Sequence, residues 1–543
     1  MNRNNAQDIR QVTLSVLGPG PARVAIVSAD GNSNLRGFLT RKRPDVDVVE
    51  VSQAINGWAR HARLMASAPF DVIVDVSPRA ASRYGRLRDL LFLVRPTGSL
   101  VLRDVARRPE SDNADARDDF HDILDRLVAI LAGDEPEPAD DARRIEWDPF
   151  QVARATETLE FVGSHAIFTR AGMPALAKMS ESAMNTLLEL EPEGDDHVVR
   201  VIPGQHVRSR AVLRYSGDEP PPKYNLEYDA PDASLRVYHD VVAAPGQVLA
   251  NDRFVLPDSF RHNARPRLVN SFLDELGPRF ANLAFDTADL PKLAGTYYHL
   301  DNEIRGHFGH VMTEQVSRMW AWPEVKQENP GVKALMFLNR GREMSGWEYA
   351  ILAAAGIERD DVLFLDEPVR VERMVSASPL FSNPEYAHPA ILETWQRIGD
   401  SLASGAQERE WPARFFCSRT IRKRGCTNTD EVEELFRAQG FEVVLPETMP
   451  LPDQVQLFRQ AEVVAGFAGS GLFQLQFTPT PKRVITIGHA RYNAANEFLM
   501  ASLLGHQLDQ VISVPDKDHF QSSFTFDDAR EGRWLAEVFA SLS

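Results

Sequence analysis

Residues Phe415 to Phe477 read FFCSRTIRKRGCTNTDEVEELFRAQGFEVVLPETMPLPDQVQLFRQAEVVAGFAGSGLFQLQF. An apolar run ends at Ser418-Arg419, a cluster of cations follows, and Thr427 to Asp430 supplies helix-capping residues ahead of the amphipathic segment Glu431 to Gln439. Cations beside a helix start suit a diphosphate. Phe441 to Leu445 reads as a short strand, Leu451 to Gln460 as a helix and Val463 to Ala465 as a strand. Gly466, Gly469 and Gly471 then allow backbone to approach a ligand closely. The stretch predicts half of a nucleotide-binding α/β domain.

The same alternation extends to both sides. From Tyr297 almost to the C-terminus it runs through LMFLNR, VLFLDE, RMVSAS, RFFCSR, EVVLP, VVAGF and RVITIG. Before it, His197 to Ile202, Val207 to Tyr215 and Leu235 to Val242 are strand-like, interrupted by Pro220-Pro221-Pro222, and residues 150 to 190 carry helical periodicity, including Met173 to Leu190. Asp134 to Arg144, DEPEPADDARR, is acidic and has no apolar stripe, so it reads as a solvated linker. At the start of the chain, Arg23 to Ser28, Val46 to Val51, Phe70 to Val76 and Gly98 to Asp104 are short apolar runs separated by helix-length stretches, which predicts a parallel sheet. The run FDVIVDV followed by VRPTGSLVLRD resembles the later strands of an S-adenosylmethionine-dependent methyltransferase, a family in which a carboxylate after the second strand holds the cofactor ribose. Glu50 takes that place. The first turn, Ser28 to Asn34, has one glycine where that family has two or three, so an inactive or repurposed Rossmann-like domain is the better reading.

Composition excludes several classes. The 543 residues, 43% apolar, suffice for about three packed domains. A net charge of −17 argues against non-specific binding to nucleic acid or an anionic membrane surface, while leaving room for a local phosphate site. Cys417 and Cys426 are the only cysteines, which suits a reduced compartment. The N-terminal MNRNNAQDIRQVTLSVLG lacks the apolar centre of a signal peptide, and no run reaches the roughly 20 apolar residues of a membrane span. The expected location is cytoplasmic, with peripheral attachment to the inner face of the membrane as a variant.

A second cluster is Gly306 to Trp320, GHFGHVMTEQVSRMW. His310 and Glu314 are four residues apart and share one helical face, and His307 joins them if the helix starts early enough. The spacing is not that of a zinc protease, which needs Glu directly after the first His. In isolation the bland reading is the better one: a partly buried histidine, with Glu314 paired to Arg318.

Taken together, the two clusters resemble the glycosyltransferases of family 61, which include bacterial capsular-polysaccharide enzymes and eukaryotic xylosyl- and N-acetylglucosaminyltransferases. The residues that carry the resemblance are His307-Phe308-Gly309-His310 with Glu314, then Ser418-Arg419 with Arg424 and Asn428, then Gly440-Phe441-Glu442-Val443 with Pro446-Glu447, then Gln454, and finally Gly466-Phe467-Ala468-Gly469-Ser470-Gly471-Leu472. Ala468 stands where the family has histidine, and Gln474 where it has asparagine. The resemblance covers about residues 230 to 515 and leaves the first 150 outside it.

The resemblance implies an α/β fold with a GT-B-like pair of Rossmann-type halves, preceded by a strand-rich lead-in and the separate N-terminal Rossmann-like domain. The expected boundaries are 1–133 for that domain, 134–190 for a linker and helical segment, 191–395 for the lead-in and acceptor-side half, and 396–543 for the donor-side half. It also implies an inverting, metal-independent transferase that needs no cofactor, takes a UDP-sugar or similar nucleotide-sugar donor, and glycosylates a glycan precursor in capsule or cell-wall assembly. Arg419, Arg424 and the helix start at Asn428 replace a metal at the diphosphate, and the amides of Gly469, Ser470, Gly471 and Leu472 approach it. Glu447 and Gln454 are further donor contacts, and Asn493 and Asn496 lie where such folds line the donor pocket. Direct displacement needs one base for the acceptor hydroxyl. His310, with an ordinary pKa of about 6.5, is the first choice, with Glu314 orienting it or acting as base itself. Nucleotide sugar and acceptor glycan are the expected partners, with homo-oligomerisation open. A non-catalytic nucleotide- or carbohydrate-binding scaffold and a bifunctional protein with an active methyltransferase domain are the alternatives.

Overall fold

The computed structural model describes residues 8–77, 83–105, 119–135, 149–217, 223–338, 342–420, 425–492 and 494–542. The chain divides into two compact units, Met1–His197 with Val248–Asp289, and Val198–Gln247 with Leu290–Ser543. Most of the Asp134 to Arg144 linker, the triple proline and the last two residues of the LMFLNR run, Asn339 and Arg340, lie outside the described residues.

In the first unit the four apolar runs form strands Ala22–Ser28, Val46–Ser52, Phe70–Asp75 and Val94–Leu102. They pair in parallel, with Val46–Ser52 at the edge, then Ala22–Ser28, Phe70–Asp75 and Val94–Leu102. Val24 to Val27 are fully buried, as expected of a parallel strand covered on both faces. The expected helical stretch 150 to 190 is helical only near its ends, at Pro149–Arg154 and Glu181–Leu190. Between them Thr156–Val162 and His165–Arg170 form an antiparallel hairpin that extends the sheet beyond Val94–Leu102. Gly163, at φ 63°, supplies the tight turn, and the β-branched and aromatic residues of TETLEFV and HAIFTR override the apparent helical period.

Glu50 lies at the carboxyl end of its strand, where a ribose carboxylate belongs. Its Oε1 accepts from the Ser28 hydroxyl at 2.8 Å and from the Ser33 amide at 2.6 Å. The Gly31 amide donates to Ser28 Oγ at 3.1 Å, and Ser52 Oγ donates to the Ala29 carbonyl at 2.9 Å. The loop that would cradle a cofactor is thus knitted to its own sheet.

The second unit holds two α/β halves. In the first half the strand Lys292–His299 has parallel neighbours on both sides, Val369–Ala377 and Lys333–Phe337. Val362–Leu365 lies beyond Lys333–Phe337, and Ala233–Ala244 pairs antiparallel with Val369–Ala377. In the C-terminal half the strands Arg414–Cys417, Glu442–Val444, Val463–Phe467, Arg483–His489 and Gln507–Ser513 are all parallel, and Val212–Tyr215 adds an edge. Numbered along the chain, these five strands take the spatial order 2-1-3-4-5, the doubly wound pattern that places ligands beyond the carboxyl ends of strands 1 and 3. One buried cluster, including Trp322, Trp395, Phe458 and Phe473, serves both halves. The fold is α/β with a GT-B-like pair of Rossmann-type halves and a separate Rossmann-like sheet near the N-terminus. Both cysteines are unpaired and buried. Among the described residues no helix is long and apolar enough to cross a membrane.

Candidate active site

The chain leaves the central strand of the first half at Leu300-Asp301-Asn302. Asp301 is buried and accepts the amides of Gln247 at 2.7 Å and Phe337 at 3.0 Å. Burial pushes its carboxyl up to about 6, against the opposing pull of Arg305 and these amides. The next residue, Asn302, donates from Nδ2 to Glu314 Oε2 at 3.2 Å. Glu314 Oε1 in turn lies 2.8 Å from His310 Nδ1. These contacts form a chain, Asn302 to Glu314 to His310.

His310 closes a short α-turn, Phe308–His310, which runs directly into a π-turn, Val311–Gln315. The ladder continues as a 3-10 turn over Val316–Ala321 and as α-helix over Trp322–Glu328. π-Turns inside helices concentrate at functional positions, and this one holds Glu314 beneath His310. Donation of Nδ1–H to the carboxylate is the tautomer that leaves the lone pair on Nε2. The side chains are 26% and 16% exposed, enough for a substrate to reach the ring while the carboxylate stays shielded. His307 is the residue before the helix, and its ring centroid lies 4.8 Å from that of His310.

In the C-terminal half, strands 1 and 3 end at Cys417 and Phe467, and the predicted donor residues follow each of them. Ser418 is buried, with Oγ on Glu433 at 2.6 Å. The Arg419 guanidinium carbon sits 5.3 Å from the centroid of the Phe467 ring, a cation–π contact that holds the charge beside the glycine turn. Glu447 Oε1 accepts from the Thr420 amide at 2.6 Å and hydroxyl at 2.9 Å, which fixes the exit of the Arg419 loop. Arg424 lies outside the described residues.

The glycines of the turn have distinct reasons. A Cβ on Gly466 would fall 2.7 Å from the Cys417 carbonyl oxygen, and one on Gly471 would fall 3.0 Å from Cys417 Sγ. Gly469 has φ 139°, a conformation that disfavours any side chain. Its amide donates to Glu497 Oε1 at 2.7 Å, and Glu497 is buried. The Leu472 amide turns back to the Gly469 carbonyl at 3.0 Å. Of the four amides expected to face a diphosphate, those of Ser470 and Gly471 therefore sit in the first turn of Ser470–Phe477, where no helical carbonyl precedes them. Ala468 follows the strand directly, its Cβ facing Gly488, where an added Cβ would lie 3.2 Å away.

The two clusters meet at Gly309 and Ser470. A Cβ on Gly309 would stand 3.0 Å from Ser470 Cβ and 3.3 Å from Phe473 Cε2. Glycine there lets the helix that carries His310 and Glu314 rest on the turn that carries Ser470 and Gly471.

Other predicted residues are occupied elsewhere. The Asn428 amide group spans the Phe526 backbone, accepting its N–H at 2.9 Å and donating to its carbonyl at 3.0 Å, and also donates to Glu431. Asp430 and Glu431 already fill the first turn of the helix Thr429–Arg437 with negative charge. Gln454 is buried, donates to the Met449 carbonyl at 2.9 Å and accepts from Gln474. Asn496 starts the helix Asn496–Leu504 and is largely buried, and Asn493 lies outside the described residues. Sequence reasoning missed Asn302 and Glu497. Asn302 has no periodic relation to the His310 helix, whereas Glu497, the lone acid in the apolar run NEFLMASLL, carried a readable signal. Among the described residues no group of three or more His, Cys, Asp or Glu side chains is arranged to hold a metal ion.

Residues 308–485 match the family model described as Glycosyltransferase 61. The family 61 match opens two residues before His310, takes in the whole glycine turn, and is narrower than the stretch over which the motifs were traced. Two solved structures are similar to parts of the chain. One is the MycE methyltransferase from the mycinamycin biosynthetic pathway, in complex with Mg and SAH, at 16% identity over 28% of this chain and 45% of that one, with a TM-score of 0.22. The chain therefore spans less than half the length of that methyltransferase. The other is the iron-containing dodecameric glycosyltransferase TibC from enterotoxigenic E. coli H10407, at 11% identity over 57% of this chain and 94% of that one, with a TM-score of 0.24. No curated protein matches the chain.

Proposed function

We propose that the protein is an inverting glycosyltransferase that moves a sugar from a nucleotide-sugar donor, a UDP-sugar, to a glycan or glycan precursor in capsule or cell-wall polysaccharide assembly. The observation that carries this reading is the seating of the His310 helix on the Ser470 turn through Gly309. It brings His310, hydrogen-bonded to Glu314, next to the glycine turn that follows strand 3 of a doubly wound sheet.

The acceptor hydroxyl attacks the anomeric carbon of the donor and its proton passes to His310 Nε2. Nδ1–H stays on Glu314, whose carboxylate stabilises the imidazolium that forms. The bond from the anomeric carbon to the diphosphate oxygen breaks with its electron pair, leaving a nucleoside diphosphate. Arg419, Arg424 and the Ser470 and Gly471 amides balance its charge without a metal ion. A single displacement inverts the anomeric configuration. The working protein is cytoplasmic or peripheral to the inner membrane face, and self-association is compatible with this scheme.

The test is nucleotide release from a panel of UDP-, GDP-, CDP- and ADP-sugars, with and without chelator. Release that survives chelation supports the scheme, and a strict Mg or Mn requirement contradicts the role given to the arginines. A second reading, a non-catalytic nucleotide-binding scaffold, draws on Ala468 and on the Gly469 amide being held by Glu497. It predicts binding of a nucleoside diphosphate with no release from any sugar nucleotide.

A further inference from the structure

A cavity of about 220 Å³ opens beside the Asn302–Glu314–His310 chain. It lies at the carboxyl ends of the strands Lys333–Phe337 and Val362–Leu365, and its walls include Asn302, Arg305, Arg342, Glu343, Trp347 and Phe364. We propose that this cavity binds one uncharged sugar ring of the acceptor, an inference that rests on the glycosyltransferase reading and adds the acceptor's chemistry to it.

Three features select that ligand. The size is below the roughly 300–1,000 Å³ of sites for drug-sized molecules, which suits a single ring rather than a chain. Trp347 lines the cavity, is partly exposed, and stands steeply inclined to the ring of Phe308, two residues before His310, with ring centroids 5.1 Å apart at 70°. An indole in the wall supplies a negative π-surface suited to the weakly positive C–H side of a pyranose.

The polar lining points the same way. Arg305 and Arg342 are set against Glu343 and Glu348, so the wall carries both signs and favours neither an acid nor a phosphate. Glu348 is committed to the helix start, accepting from the Ser345 amide at 2.8 Å and hydroxyl at 2.7 Å, and Arg305 Nη1 is anchored on the Leu338 carbonyl at 2.7 Å. Arg342 and Glu343 are exposed at the rim. Neighbouring donors and acceptors of this kind match the vicinal hydroxyls of a sugar. Asn302 belongs both to the cavity wall and to the chain that ends at His310. A ring held there has its neighbouring hydroxyl or linked residue near the base.

The test is saturation-transfer NMR on the full chain with methyl glycosides of glucose, galactose, N-acetylglucosamine and rhamnose, alongside methyl glucuronide. At least one neutral glycoside is expected to give signal, with its affinity falling by about tenfold in Trp347→Ala and in Arg342→Ala. Thermal melts of both variants establish that they fold; Arg342, at the rim, keeps the test open if the tryptophan variant does not. Signal unchanged in the folded variants, no signal from any neutral glycoside, or signal from the glucuronide alone would each overturn the proposal. Nucleotide release by the wild-type protein is measured separately, so a wrong acceptor pocket and a wrong transferase reading give different results.

Discussion

His310 Nδ1 stands 2.8 Å from Glu314 Oε1, one helical turn apart, and the other oxygen of that carboxylate is held by Asn302. The pair is partly shielded and its geometry is fixed at both ends, so it differs from a solvated surface ion pair worth about 0–1 kcal/mol. In the proposed mechanism it sets which imidazole nitrogen carries the proton. Replacing His310 with alanine is expected to lower kcat by roughly 10²–10⁴-fold with little change in donor affinity. Glu314→Gln keeps the shape and loses the charge that stabilises the imidazolium, so it should lower kcat less than the loss of His310 does. Steady-state nucleotide release checks both, and full turnover in His310→Ala and Glu314→Ala would remove the pair from the mechanism.

Gly309 is the contact between the halves of the site. In Gly309→Val, the new side chain must displace Ser470 or Phe473, which stand 3.0 and 3.3 Å from its Cβ. The predicted result is a larger loss in kcat than in thermal stability, because the helix is pushed away from the turn. Gly466→Ala has the opposite signature: its Cβ meets backbone 2.7 Å away, so a loss of about 1–3 kcal/mol in unfolding free energy is expected from denaturant titration.

Arg419 offers a planar fork beside the Phe467 ring. Arg419→Ala is expected to weaken UDP binding by roughly 10–100-fold, the scale of one or two hydrogen bonds to a charged group. Arg419→Lys should recover only part of this, because lysine lacks the bidentate geometry. Calorimetric titration with UDP distinguishes the two, and equal affinity in all three proteins would show that the diphosphate lies elsewhere.

Stability should depend on pH through three buried groups with opposing signs. Burial and, more weakly, Arg318 push the His299 imidazole down to about 3, while burial takes His506 down to about 4. Both contribute stability that is present above about 6.5 and is lost as pH falls through those values. Asp301, raised to about 6, works the other way: its contribution is present below 3.8 and is lost as pH rises through about 6. Acidification from pH 6.5 to 4 should therefore destabilise the protein, with Asp301 offsetting part of the loss. Asp301→Asn should steepen the decline, as read from denaturation midpoints at pH 6.5, 5.5 and 4.5. A flatter decline in the variant would show that the carboxyl is ionised across this range.

Periodicity was sufficient where the local signal and the tertiary environment agreed. The strands from Phe415 onward and the helix Leu451–Gln460 lie where the apolar runs and breakers place them, because a parallel sheet covered on both faces requires contiguous apolar runs. The hairpin at residues 156–170 was misread because a short apolar pattern fits either period until a neighbouring strand is available to pair with. The same limit applies to side chains. Asn428 and Gln454 have the right chemistry for donor contacts, yet their hydrogen bonds go to the Phe526 backbone and to Gln474.

The sequence alone determined the α/β class, the glycine turn and the helical spacing of His310 and Glu314, since each depends on residues a few positions apart. Only the tertiary structure decided that Asn302 holds Glu314, that Glu497 takes the Gly469 amide, and that Gly309 rests on Ser470. These contacts join residues separated by many positions along the chain. Their energies depend on distance and burial, and packing alone sets both.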